Sequence, residues 1–289
     1  MAGTPEKDAI SGVETTGHEW DGIKELNNPL PRWWAIIFYL TIVWAAIYAI
    51  FMPAVPLFGG FTQGVLDWSS RGALSASMQE AVAEQKPYLD KIQSLSPAQI
   101  AGDRELAGFV QAGGKSAFLV NCSPCHGQGA QGSPGYPNLN DDAWIWGGTP
   151  EDINHTITYG IRNAHEESRQ NVMAAYGRDG LLSPAEIDAV TEYVLSLSGR
   201  SGDPEAVEKG KPLFENNCVS CHREGGAGDT ELGAPNLTDA IWLYGGSKAK
   251  IIETLTYGRA GMMPAWEGRL SDDTIKLLTV YVHALGGGQ

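Results

Sequence analysis

Between Trp33 and Met52 the chain runs WWAIIFYLTIVWAAIYAIFM, with no charged side chain and Thr41 as its one aliphatic polar residue. Those 20 residues would rise about 30 Å as a helix, the thickness of a hydrocarbon core. Trp33 and Trp34 stand at one end, where amphipathic rings prefer the headgroup layer, and Pro31, Pro53 and Pro56 bracket the run. A cleaved leader fits poorly, because 32 mostly polar residues come first and the apolar stretch is too long. The pattern predicts one uncleaved transmembrane helix over 33–52 after a segment 1–32. Residues 53–96 show little periodicity and read as a tether, with a short amphipathic helix around Leu89–Leu95. Helical periodicity returns later: Ile187, Val190, Val194 and Leu197 share a face behind Ser183, Pro184 and Glu186, which form an N-cap, first-turn proline and capping box. Asp203-Pro204 opens another helix toward Cys218 by the same rules. No run alternates long enough to suggest a sheet, so the chain reads as mainly α.

The C-terminal two thirds repeats itself. GKSAFLVNCSPCH aligns with GKPLFENNCVSCH, GYPNLNDDAWIWGG with GAPNLTDAIWLYGG, and TITYG with TLTYG. VMAAYG then pairs with MMPAWEG and TEYVLSL with TVYVHAL. Similarity across five blocks predicts two homologous domains, 97–199 and 205–289, divided by the turn formers of Ser196–Pro204. Gly- and Pro-rich loops link their helices, so something besides secondary structure must order them, and a large buried cofactor would.

Charge narrows the partners. The net charge of −14 over 289 residues offers no basic stripe for phosphates, so nucleic acid is not expected. Residues 97–204 carry 13 acidic and 6 basic side chains, against 11 and 8 in 205–289, so the first of the two domains is the more acidic. Lys24 and Arg32 flank the apolar run on its N-terminal side, whereas the first basic residue beyond it is Arg71; this places the N-terminus in the cytoplasm.

All four cysteines lie in Cys122-Ser-Pro-Cys125-His126 and Cys218-Val-Ser-Cys221-His222. Two thiols on one helical turn can each add across a vinyl group of haem, and the next residue then brings its imidazole under the iron. Zinc would need further Cys or His at ligand spacing, and a thioredoxin-like site a βαβ context; neither is visible. Two covalent haem c groups follow, on Cys122, Cys125, Cys218 and Cys221, with His126 and His222 on the irons. An iron meant for electron transfer needs a sixth ligand, and a thioether raises its potential. Met173 falls opposite Met263 in the repeat, which selects Met263 over Met262, read as a packing residue. His155, His165 and His283 compete less well: His283 sits on an apolar helix and His165 in a charged insert. Pro137 and Pro235, in the two PNL motifs, are the expected carbonyl partners of the ligating imidazoles. Trp144, Trp146, Trp242 and Tyr244 are expected at the haem edges, their N–H or O–H groups available to propionates. No copper ligand set, phosphate-cradling loop or hydrolytic triad is present, so the chain has no catalytic centre of its own.

With NNPLPRWW before the apolar run and two CxxCH domains with methionine loops, the whole chain resembles the dihaem subunits (CcoP, FixP) of cbb3-type cytochrome c oxidases. The resemblance implies a transmembrane helix followed by two tandem class I cytochrome c-like domains. It further implies a single-pass protein of the bacterial inner membrane with its haem domains periplasmic. It would take electrons from a soluble cytochrome c and pass them to the monohaem and catalytic subunits. Met173 and Met263 match the family's axial methionines, and Met-Pro is the form such loops take in cytochromes c. The simplest pairing gives each domain its own methionine; facing domains can also exchange them, and the sequence leaves both open. Two other readings stand beside this one: a free-standing dihaem shuttle, and a haem peroxidase or gas sensor with one open iron.

Overall fold

The computed structural model describes residues 4–287. Residues 1–3 and 288–289, which close the first and last expected segments, lie outside the described residues. The chain divides into two compact units, 1–84 and 85–289.

In the first unit, β1 (Thr15–Trp20) and β2 (Ile23–Leu26) form an antiparallel hairpin that the alternation of the sequence did not announce. Its turn, Asp21-Gly22, has both residues at positive φ (49° and 85°), the backbone that a two-residue hairpin of this twist requires. Helix α1 (Arg32–Phe51) covers the expected span within one residue and buries none of its side chains. Its last carbonyls are satisfied by chain folding back: Val65 and Leu66 donate to Ile50 and Phe51 at 2.9 and 3.1 Å. Gly64 permits that return at φ 73°, since a Cβ there would meet the Phe51 carbonyl oxygen at 2.5 Å. A two-residue hairpin, β3 (Pro56–Leu57) with β4 (Gly60–Phe61), follows.

The expected tether is instead largely helical: α2 runs Ser70–Ser94, far longer than the short helix expected around Leu89–Leu95. Its small and polar residues give weak periodicity while remaining good helix formers, which is why pattern alone missed it. In the second unit its final turns are anchored. Ile92 is buried with Ile100 of α3 (Pro97–Gly102), Leu106, and Val110 of α4 (Ala107–Asn121). Lys276 donates to the carbonyls of Ile92, Gln93 and Leu95 at 2.8–3.0 Å, capping the C-terminus with a cation where the helix dipole favours one.

Both repeats then follow one plan. A helix enters the cysteine motif (α4; α8, Pro204–Asn217) and a single turn carries the histidine (α5, Ser123–His126; α9, Val219–His222). A third helix follows the aromatic loop (α6, Pro150–Tyr159; α10, Lys248–Tyr257), and a fourth ends the repeat (α7, Pro184–Ser196; α11, Asp272–His283). The Ser183–Glu186 capping box and the Asp203 N-cap are present as read. The two repeats pack into each other. Helix α7 of the first repeat packs on α8 of the second, and α11 of the second on α4 and α6 of the first. One buried cluster joins Ile187, Val190 and Val194 to Phe214, Ile251 and Leu255; another joins Phe118, Ile153 and Ile157 to Ile275, Leu278 and Val282. The repeats have exchanged their C-terminal helices.

Candidate haem centres

At each cysteine motif the backbone closes one helical turn. Cys122 O accepts from Cys125 N and His126 N at 3.1 and 3.0 Å; Cys218 O accepts from Cys221 N and His222 N at 3.1 and 2.9 Å. That turn puts both thiols on one side, with the imidazole directly after them. All four cysteines are free thiols. Burial, then the neighbouring cysteine, pushes Cys122 and Cys218 up to about 11, so both are held as S–H.

The two imidazoles are oriented by carbonyls that the PNL motifs supply, as the sequence predicts. His126 Nδ1 meets Pro137 O at 3.1 Å and His222 Nδ1 meets Pro235 O at 2.9 Å. A carbonyl only accepts, so each Nδ1 carries the hydrogen and each Nε2 keeps a lone pair for a metal. Burial lowers both imidazoles from their ordinary value, which keeps them neutral.

The methionines lie across the repeat boundary. Met263 belongs to the cluster of Cys122, Trp144, Ile153 and Ile157, with Trp266 and Leu270 beside it. Met173 belongs to that of Cys218, Tyr176, Leu213 and Trp242. Two reciprocal backbone pairs fix the exchange: Ile161 with Met263 (both bonds 2.9 Å) and Arg259 with Met173 (both 3.0 Å). Ile161 and Arg259 occupy the same place in the repeat, so the two pairs are related by a local two-fold. Gly160 and Gly258, both at φ 71°, make the approach possible, because a Cβ would meet Met263 O at 2.4 Å or Met173 O at 2.5 Å. Tyr176 crosses with its loop and donates to Asn217 O at 2.7 Å, just before Cys218. Met262 is largely exposed.

The histidine competitors separate. His165 is engaged at both nitrogens, Nε2 with Glu267 Oε2 at 2.8 Å and Nδ1 accepting from Glu167 N at 3.1 Å, so it is neither solvated nor poised as a ligand. His155 packs edge-on against Tyr159, its Nδ1 buried without a hydrogen-bond partner. His283 lies in the last turn of α11. The expected aromatic donors are partly spent: Trp144 Nε1 donates to Gly287 O and Trp242 Nε1 to Asp239 O. Trp146 and Tyr244 instead lie under guanidinium groups, Arg169 at 5.2 Å and Arg259 at 4.3 Å. The sequence reading overlooked these arginines because their positions are not shared between the repeats.

Each cysteine motif thus offers two thiols on one turn and a neutral imidazole with Nε2 unprotonated, and a methionine of the other repeat packs against the same cluster as its first cysteine. That donor set fits haem c. Among the described residues no three His, Cys, Asp or Glu side chains converge, as a zinc site would require.

Comparison with known proteins agrees along the whole chain. Residues 12–59 match the N-terminal domain of the FixP component of cytochrome oxidase cbb3, 111–198 match cytochrome c, and 205–282 match subunit III of cbb3-type cytochrome c oxidase. The CcoP subunit of Azospirillum sp. (strain B510) is 51% identical over 291 residues, covering 98% of each chain. The FixP subunit of Azorhizobium caulinodans is 53% identical over 98% of this chain and 96% of its own, and CcoP of Cereibacter sphaeroides 45% identical over the full length of both. Identity of this order across anchor and both repeats places the chain in the CcoP/FixP family of cbb3-type cytochrome c oxidase subunits.

Proposed function

We propose that this electron-transfer subunit carries two covalent haem c groups, each iron held by the histidine of one repeat and the methionine of the other: His126 with Met263, and His222 with Met173. The single observation behind the crossed pairing is that each methionine shares a packed cluster with the other repeat's cysteine motif. Cys122, Cys125, Cys218 and Cys221 would hold the two groups as thioethers, each S–H adding across a vinyl group with no net oxidation or reduction. Once bound, each haem supplies a one-electron ferric/ferrous couple. The chain's part would be to hold a neutral imidazole by its Pro137 or Pro235 carbonyl, offer a soft sulfur to the same iron, and exclude water around both. Full ligation from the protein suits outer-sphere transfer and disfavours the peroxidase or gas-sensor reading.

Electrons enter from a soluble cytochrome c and leave to the monohaem and catalytic subunits, where oxygen is reduced. Helix α1 is the membrane anchor, the one candidate span among the described residues, with the N-terminus cytoplasmic and the haem repeats periplasmic. The acidity of residues 97–204 suits a basic donor, steered by charge; a donor rate indifferent to ionic strength would refute that steering.

The test of the pairing is Met263→Ala in chains that retain one attachment motif. With Cys218 and Cys221 replaced by alanine, the remaining haem should lose its methionine signature in magnetic-resonance spectra. With Cys122 and Cys125 replaced instead, Met263→Ala should leave the spectrum unchanged. The reverse result would restore pairing within each repeat.

A further inference from the structure

Three arginines gather where the repeats meet. Arg162 follows Ile161, the backbone partner of Met263, and itself adopts φ 50°. Its Nε donates to Gly261 O at 2.5 Å in one methionine loop and a terminal nitrogen to Asn171 O at 2.6 Å in the other. Arg162 N also donates to Arg169 O at 2.7 Å, so the two side chains leave neighbouring points of one folded loop. Arg169 lies against Trp146 with its side chain 14% exposed, reaches Asp152 only at 3.4 Å, and buries its Nε without a partner. Arg259, by contrast, is compensated by Glu253 at 2.9 Å.

Arg162 is the anomaly. A guanidinium stays charged at any physiological pH, and burial disfavours this one, with Tyr244 the sole group acting in the other direction. Its hydrogen bonds go to neutral carbonyls, and no carboxylate pairs with it among the described residues. A half-buried cation without a counter-ion is costly, as is the orphaned Nε of Arg169. Thioether formation consumes the vinyl groups of a haem and leaves its two propionates, planar carboxylates that match a guanidinium fork.

We propose that Arg162 and the free Nε of Arg169 form an anion site at the seam between the repeats, that it holds a haem propionate, and that its positive charge raises the reduction potential. The proposal rests on the assignment of two haems above. An added electron lowers the charge of a haem, so a nearby cation stabilises the reduced state, and removing the cation must lower the potential.

The experiment is potentiometric titration of the full-length, detergent-solubilised holoprotein, followed by visible absorbance, with covalent haem per chain measured alongside. Arg162→Gln should keep two haems and shift the redox equilibrium of at least one about tenfold toward the oxidised form, about 59 mV for a one-electron couple. Arg162→Lys, which keeps the charge but loses the bridge between loops, should recover most of that shift. Arg169→Gln should move the potential in the same direction. Unchanged potentials in Arg162→Gln would overturn the proposal; so would an equal loss in Arg162→Lys, which would make the residue a strut between loops. A wild-type potential that tracks added chloride or phosphate at fixed ionic strength, lost in Arg162→Gln, would assign the site to free anions and reject the propionate. Fewer than two covalent haems in the wild type would instead refute the two-haem assignment, and the site with it.

Discussion

Gly114 and Gly210 each stand eight positions before the first cysteine of their repeat, inside α4 and α8, and each lies where a helix from the other repeat crosses. Alanine in a helix interior ordinarily stabilises by up to about 1 kcal/mol relative to glycine. Here the sign should reverse. A Cβ at position 210 would sit 2.0 Å from Ala189 O in α7, where real contacts essentially never fall below 3.0 Å, and the obstacle is backbone. The helices must therefore part by 1.0 Å, the difference between those two distances. A gap of that size forfeits roughly a quarter to a half of each dispersion contact along the seam, including the Tyr193–Phe214 ring pair at 5.1 Å. Overpacking of this kind costs about 1–3 kcal/mol. We place Gly210→Ala near the upper end, a net loss of about 2 kcal/mol after the propensity gain. Gly114→Ala meets Tyr281 Cβ at 2.5 Å and Leu277 O at 2.6 Å, a shortfall of about half as much, and should lose about 1 kcal/mol. Gly108, with nothing within 4 Å, is the control, and its alanine variant should be neutral or slightly stabilised. Guanidinium unfolding of the solubilised holoprotein by circular dichroism reads all three as midpoint shifts at constant slope. If Gly210→Ala matched or exceeded the wild type, the crossing of α7 on α8 would be wrong.

Three further outcomes are expected. Ser183→Ala removes a capping box at the start of α7 and should cost about 1 kcal/mol in the same unfolding assay; Ser75→Ala, inside exposed α2, is the comparison, and an equal loss there would refute the contribution of the cap. Tyr176→Phe deletes the bond to Asn217 O and should cost about 1 kcal/mol, with faster amide exchange confined to the Met173 loop; unchanged exchange there would show that the hydroxyl does not pin it. Glu192 is held below its ordinary value by Ser201 and then by Lys248, whose ammonium the carboxylates of Asp188 and Glu192 push up to about 12. Because the folded carboxyl is the more acidic, its contribution is present above the ordinary value of 4.5 and fades as pH falls below it. Glu192→Gln should thus destabilise at pH 7 and converge on the wild type in acid; a penalty independent of pH would refute the coupling.

Much of this molecule is written in short-range pattern. The span of α1, the Ser183 and Asp203 caps, the cysteine turns and the Pro137 and Pro235 carbonyls follow from spacing of a few residues, and chemistry acting over one or two helical turns is legible at that range. Helix α2 escaped because its faces are nearly uniform, and the Asp21-Gly22 hairpin because its strands expose most of both faces. The arginines at the seam carry no periodic signal, since what defines them is contact made only on folding: Arg169 over Trp146, Arg259 over Tyr244, and Arg162 on the carbonyls of Gly261 and Asn171.

Duplication announced itself, and with it the thiols, imidazoles and thioethers proposed for the two stations. Which methionine faces which histidine was decided elsewhere. Homologous repeats present nearly the same apolar faces, so α7 suits α4 and α8 alike by composition, and only three-dimensional packing distinguishes them. Gly160, Gly258, Gly114 and Gly210 allow the close approaches that fix the exchanged partner, and such approaches exist only once the chain has folded back on itself.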